Sequence, residues 1–220
     1  MKFDWANDWP VFLQAFWETL YIVALSLGIG GAIGLVLGLV LYTTRRGGLL
    51  ENRYVFAALN VLVNFVRPIP FVIFITAIGP LTITLTGSRI GTDAFIVPAA
   101  TMASFATARI VEQNLVALDP GVIEAARSMG ASPMRIIRTV IIPEALAPLI
   151  LGYTFLFVAV VDMSALAGIV GGGGLGNFAL TQGYQRFDWV VTYVTVLVIV
   201  VIVQLVQFLG NHLARRVLRR

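Results

Sequence analysis

The chain has 220 residues, of which 59% are hydrophobic and only 12% charged, with a formal charge of +4. A soluble domain carries roughly 25% charge, and this much apolar surface exceeds what one soluble core can bury. The absence of cysteine excludes disulfides, thiolate metal sites and a cysteine nucleophile.

The composition therefore predicts an all-α, polytopic membrane protein. The first predicted span covers residues 16–42, with no charge from residue 20 onward, and about 20 apolar residues cross the hydrocarbon. The start is acidic (Asp4, Asp8, Glu18), unlike the basic start of a signal peptide, so the span is expected to be retained. Ser26, Gly30, Gly34 and Gly38 recur every four residues. That face suits close helix packing in lipid, or it reflects the general abundance of glycine in spans.

A second span is predicted over 54–78, interrupted by Arg67-Pro68-Ile69-Pro70, where each proline removes a backbone donor. Such breaks survive at membrane depth only against protein or a wet cavity. A third span, 93–111, is rich in small residues and suited to packing among helices. A fourth, 146–170, ends in the Gly171–Gly174 run, and a fifth covers 189–209. The whole chain, 1–220, reads as one transmembrane domain. His212 has no second histidine to chelate with and reads as a membrane-surface residue.

Between the third and fourth spans lies a charged stretch, 119–145. Asp119 is placed to cap a helix that Pro120 begins. Val122, Ala125, Ala126 and Met129 follow as an apolar stripe, and Gly130 is placed to stop the helix in a left-handed conformation. Ser132 and Pro133 repeat the cap and proline. Ile137, Val140 and Ile141 then share one side, Arg135 and Arg138 another, and Pro143 is expected to disrupt this second helix.

Five spans put the termini on opposite sides of the membrane. With the N-terminus outside, Arg45, Arg46, Arg53, Arg109, Arg127, Arg135, Arg138, Arg215, Arg216, Arg219 and Arg220 are cytoplasmic. Lys2, Arg89 and Arg186 are outside, and Arg67 is at membrane depth. The positive-inside rule selects this orientation and makes the charged elbow cytoplasmic. Such an elbow can cover helix ends, form a DNA-binding helix-turn-helix, or dock a cytoplasmic partner. Nucleic acid is disfavoured, because the second helix carries only two basic residues and joins a span directly.

Arg67 and Asp162 fall at membrane depth, where ionisable residues face a bundle interior or water and often pair. Counted along their spans, their depths agree within ~5 Å, so they pair or share a wet cavity; the pairing is structural or part of a proton relay. Gly171-x-Gly173-x-x-Gly176 has the spacing of a dinucleotide fingerprint. It follows a membrane-length helix rather than a strand, and no acidic residue lies about 20 positions on. A tight turn at the outer end of the bundle is the expected role. The chain also lacks the Walker A pattern G-x-x-x-x-G-K-[ST].

Glu124-Ala125-Ala126, three residues, Gly130, nine residues, then Val140-Ile141-Ile142-Pro143 resembles the EAA motif of bacterial ABC-importer permeases, with Val140 and Ile142 in place of the usual Ile and Leu. Residues 64–71, from Asn64 to Phe71, and 164–170, with the glycine run, resemble the methionine-importer permeases. The resemblance implies a coupling helix that enters a cleft of an ATP-binding subunit, with Glu124, Ala125, Ala126, Arg127, Gly130 and Pro143 as coupling residues. It also implies a homodimeric permease in the bacterial inner membrane, two ATPase subunits that bind ATP and Mg, and an external substrate-binding lipoprotein. No cofactor is implied for this chain itself. Met163 and Leu166 lie one helical step apart beside Asp162; in the family the fourth span lines the translocation path and the position matching Leu166 bears a pore-closing apolar side chain, so the resemblance implies a hydrophobic constriction where two copies meet, with ordinary packing as the alternative. The position matching Asp162 carries a small residue in the family, a departure in this sequence. A self-contained secondary transporter or channel, an ABC permease for another solute, and a purely structural anchor are the competing classes.

Overall fold

The computed structural model describes residues 3–218, and within them every regular element is helical. The centre of the bundle is the pairing of α1 (Trp9–Thr44) with α5 (Thr92–Val116). A Cβ added at Gly30 would lie 2.8 Å from the Ala103 Cβ, one at Gly34 2.5 Å from the Ser104 carbonyl, and one at Gly38 2.6 Å from the Ala108 carbonyl. The four-residue stripe on α1 is therefore the groove into which α5 sinks. The hydroxyls of Ser26 and Thr107, both buried, have no hydrogen-bond partner, so small size rather than polarity brings these helices together. Gly34→Ala is expected to cost about 1–3 kcal/mol through overpacking, read as a lower melting temperature of the purified protein.

The second predicted span is bent rather than straight. Helix α2 (Arg53–Val66) starts at Asn52, whose Oδ1 accepts from the N–H groups of Tyr54 and Val55. It stops where Pro68 and Pro70 lack donors, and α3 (Phe71–Ala77) continues at 113° to it. The short α4 (Gly79–Thr86) follows. The path nonetheless tracks α5 along its length. Val63 clusters with Ala108, Val66 and Phe74 with Met102, and Ile75 with Phe95, Ile96 and Ala99.

Arg109 leaves the surface assigned to it by charge counting. Its guanidinium donates to Glu112 Oε2 and to the side-chain oxygens of Asn60 and Asn64, pinning α2 against α5. Glu112 is buried, and this is the one ion pair among the described residues.

The elbow comprises α6 (Pro120–Ser128) and α7 (Pro133–Ile136). From α7 the chain passes through a wide π turn, Ile137–Ile141, into α8 (Ile142–Ser164). The break expected at Pro143 does not occur. Pro143 has no N–H to offer the Thr139 carbonyl and its ring would crowd that group. The wider π turn just before it absorbs the mismatch, and Pro133–Ser164 is one 32-residue helix.

Helix α8 ends at Ser164, short of the predicted 170. A 3₁₀ turn, Ala167–Val170, leads into the glycine run and the short α9 (Gly174–Phe178). The run is latched at both sides. Glu18 Oε2 accepts the Gly174 N–H at 2.8 Å, and Thr19 Oγ1 accepts that of Leu175 at 2.7 Å. Val170 and Gly172 carbonyls accept from the Gly91 N–H and the Thr92 hydroxyl. Helix α10 (Trp189–Leu218) closes the bundle against α8. Four described helices are long and apolar enough to cross a membrane, five if the bent pair counts as one. Lys2, Arg219 and Arg220 lie outside the described residues.

Candidate functional site

The elbow is built by its end signals. Asp119 Oδ1 accepts the Gly121 N–H at 2.8 Å, supplying one of the partners a helix start lacks. At the far end Gly130 adopts φ +77°. Its N–H donates to the Arg127 carbonyl and that of Ala131 to the Ala126 carbonyl, the paired bonds of a Schellman stop. A β-branched residue at 130 would be strained there. Ser132 makes no side-chain cap; the second helix starts on Pro133 and the backbone alone.

The predicted apolar stripe of α6 divides between two faces. Ala126 is buried in a cluster with Tyr42, Val111, Leu115, Ile136 and Ile141, with Ile123 packed against it. Ala126 thus seats the elbow on α1, α5 and α8 rather than offering itself to a partner. Val122, Ala125 and Met129 turn the other way. Met129 is 81% exposed, and Glu124, Arg127 and Gly130 are exposed beside it. Exposed Met129 and Met134 extend this outward face; helical periodicity alone had set Met129 in one stripe with Ala126. Pro143, also exposed, lines a groove of about 570 Å³ between the elbow and the end of α10, with Val122, Glu144, Val217 and Leu218.

A second set of residues lies on α8 and α2, the helices of the fourth and second predicted spans. On α8, Glu144, Leu151, Phe155 and Asp162 are exposed at spacings of seven, four and seven, which is one face of a helix. The opposite face, including Leu149 and Leu156, is buried. On α2, Asn60, Asn64 and Arg67 recur at four and three residues, again one face, and Arg67 is exposed. Arg67 and Asp162 do not pair with each other within the chain, since the one ion pair among the described residues is Arg109–Glu112. They border the same packing cluster, because Met163 packs against Val66, Phe74 and Met102. Met163 is half-buried there. Leu166 is half-buried too, but it lies past the end of α8, its N–H donating to the Met163 carbonyl in a tightened turn. The two are joined by a turn, not by a helical step.

The Arg109 network escaped sequence reasoning, which treated Arg109 as one more cytoplasmic cation. The signal available was the pair of asparagines at i and i+4 in an otherwise apolar helix.

Membrane-length helices, a span broken at a polar seam and a capped elbow seated on the bundle define a membrane-embedded transport component. The chain belongs to the family of binding-protein-dependent transport system inner membrane components, whose model matches residues 33–219. It is 43% identical over 222 residues to the probable D-methionine transport system permease protein MetI of Vibrio cholerae, covering 99% of each chain. It is 38% identical over 208 residues to the D-methionine transport system permease protein MetI of Escherichia coli K12, covering 94% of this chain and 96% of that one. Its fold matches a solved structure of the MetNI methionine ABC transporter in an inward-facing conformation, with a TM-score of 0.90 at 38% identity over 94% of this chain and 96% of that one. An amino acid ABC transporter solved with histidines shares the fold, with a TM-score of 0.80 at 22% identity, over 98% of this chain and 100% of that one.

Proposed function

We propose that this chain is the permease subunit of an ATP-driven methionine importer of the bacterial inner membrane. The observation that carries the proposal is the outward apolar face of α6. Val122, Ala125 and Met129 are exposed on a capped helix outside the bundle, where water gives an apolar stripe no partner. A cleft in an ATP-binding subunit does. Glu124 and Arg127 flank that stripe and supply the polar rim.

The proposed assembly has two permease copies, two ATP-binding subunits that hold ATP and Mg, and an external binding lipoprotein. The N-terminus is outside and the C-terminus cytoplasmic, with five crossings, the bent α2–α3 segment counting as one. The exposed α8 face carrying Asp162 then meets the second copy or the transport path, because an unpaired carboxylate at this depth is expensive against lipid.

Movement enters through a stiff element. The helix Pro133–Ser164 has 32 residues and spans ~48 Å at 1.5 Å per residue. It runs from the elbow to the depth of Asp162 and Met163. Ala126 keys α6 into the cluster shared with α1, α5 and α8, so a shift of the elbow is carried into the bundle rather than spent in a loop. ATP favours one arrangement only by binding it better, and drawing the cytoplasmic subunits together rocks the bundle between inward-open and outward-open states. Met163 and Leu166 supply the apolar constriction, which closes by excluding water.

Uptake of labelled methionine by proteoliposomes containing the assembled importer tests this. ATP-dependent accumulation, displaced by unlabelled methionine and not by glycine betaine, nitrate or taurine, is the expected result. Accumulation by the permease alone, without ATP-binding subunits, would contradict it.

A further inference from the structure

We infer that the surface flanking the cluster of Val66, Phe74 and Met102, with Arg67 at the end of α2 and Asp162 near the end of α8, is a transit site for a zwitterion, in which the Arg67 guanidinium takes the carboxylate and Asp162 the ammonium group of an α-amino acid. This rests on the importer reading above and adds a site at which the permease itself reads its cargo.

A guanidinium and a carboxylate at membrane depth both need compensation, yet neither finds it within the chain. The ion pair among the described residues lies elsewhere, and both groups are exposed. Lipid satisfies neither, so both face water, the second copy or cargo. Their signs are opposite and their neighbours, Val66 and Met163, belong to one packed cluster. A site with one charge of each sign and no net charge suits a molecule with the same property.

The surroundings agree. Arginine's planar fork receives a carboxylate through two parallel hydrogen bonds. On the cytoplasmic side of Arg67 the polar stripe continues as Asn64 and Asn60, linked by an amide hydrogen bond of 3.1 Å and both accepting from Arg109. The asparagines are thereby held in place and present neutral dipoles along the exit, which let a zwitterion leave without a second strong trap. Next to Asp162 in sequence is Met163, half-buried against the cluster of Val66, Phe74 and Met102; its polarizable thioether adapts to an unbranched apolar side chain. The class of ligand this combination recognises is an α-amino acid with an apolar, flexible side chain.

The test uses the assembled importer, with its ATP-binding subunits and binding protein, in proteoliposomes supplied with labelled methionine. Asp162→Asn and Arg67→Gln are each expected to lower uptake at least tenfold per assembled complex. Asp162→Glu keeps the charge but moves it by one methylene, and is expected to recover assembly fully and transport only in part. The reversed pair, Arg67→Asp with Asp162→Arg, restores neutrality but would bind the zwitterion back to front, with its side chain turned away from Met163; uptake is expected to stay at least tenfold down. Because the chain has no cysteine, Asp162→Cys gives this subunit a single thiol, and the unsubstituted importer treated in the same way is the control. Modifying it after assembly with an anionic methanethiosulfonate is expected to raise uptake, whereas a cationic reagent is not. Wild-type uptake in the reversed pair would show that the two charges only neutralise one another and would overturn the inference, as would wild-type uptake in Asp162→Asn or Asp162→Glu. If the unsubstituted importer accumulated no methionine, the importer reading itself would fail instead.

Discussion

An importer carrying Ala125→Arg together with Met129→Glu is expected to lose ATP-driven uptake by at least a hundredfold while its helix bundle stays folded. Both side chains lie on the exposed face of α6, away from the cluster that holds Ala126. The Asp119 cap and the Gly130 stop involve neither side chain, so the elbow itself should form. Surface substitutions of this kind shift stability by about ±0.5 kcal/mol. In the proposed docked state the same two positions are enclosed by the partner's cleft, where an unpaired charge must be desolvated. A hundredfold loss corresponds to about 2.8 kcal/mol, ordinary for a central interface residue. Uptake, co-purification of the ATP-binding subunit and the melting temperature of the permease together check this. A variant that retained both partner and uptake would place the docking contact elsewhere.

Glu112→Leu is expected to destabilise the chain by about 3–5 kcal/mol, the cost of leaving a buried charge without its counter-charge. Glu112 is buried, and Arg109, which it neutralises, also holds Asn60 and Asn64. The asparagines would still accept from the guanidinium after the substitution, but they carry no charge to balance it. The result should be an uncompensated guanidinium between α5 and α2, seen as a lower melting temperature and reduced recovery of folded protein. Replacing both partners, with Arg109→Met and Glu112→Leu, should recover most of the loss, because the orphan charge is then gone. If the double variant were no better than the single one, an orphaned charge at Arg109 would not be the cause of the loss.

These two predictions mark where sequence reasoning was strong and where it was not. The elbow was legible because its ends depend on local chemistry. A proline at the first turn, an aspartate that reaches back to a backbone donor and a glycine at positive φ act within a few residues. The glycine stripe of α1 was legible for the same reason, since a four-residue period places small residues on one face whatever lies opposite. Which way α6 faces was not legible. Val122, Ala125, Ala126 and Met129 satisfy helical periodicity, but only packing decides that Ala126 meets Tyr42 and Leu115 while Met129 is left outside.

Proline was a sound signal at 68 and 70 and a misleading one at 143. The same missing donor bends the chain by 113° in one place and is absorbed by a π turn in the other. The difference is that Arg67–Pro70 places two such residues within one turn. Charge counting likewise treats an arginine near a helix end as a surface cation, so it could not separate Arg109, committed to Glu112 and two asparagines, from Arg135 and Arg138, which have no such partners on a neighbouring span. The end of α8 at Ser164 had no local marker, since the first glycine beyond it is Gly168.

The account stands on the elbow lying in the cytoplasm, gripped by an ATP-binding subunit. Ala125→Cys tests this most directly, because no other thiol exists in the chain. In intact cells a membrane-impermeant maleimide should leave position 125 unlabelled. In inverted membrane vesicles stripped of the ATP-binding subunit it should label readily, and adding that subunit back should protect it. Labelling of Cys-substituted position 125 in intact cells, or labelling in vesicles that the added subunit leaves unchanged, would contradict the account.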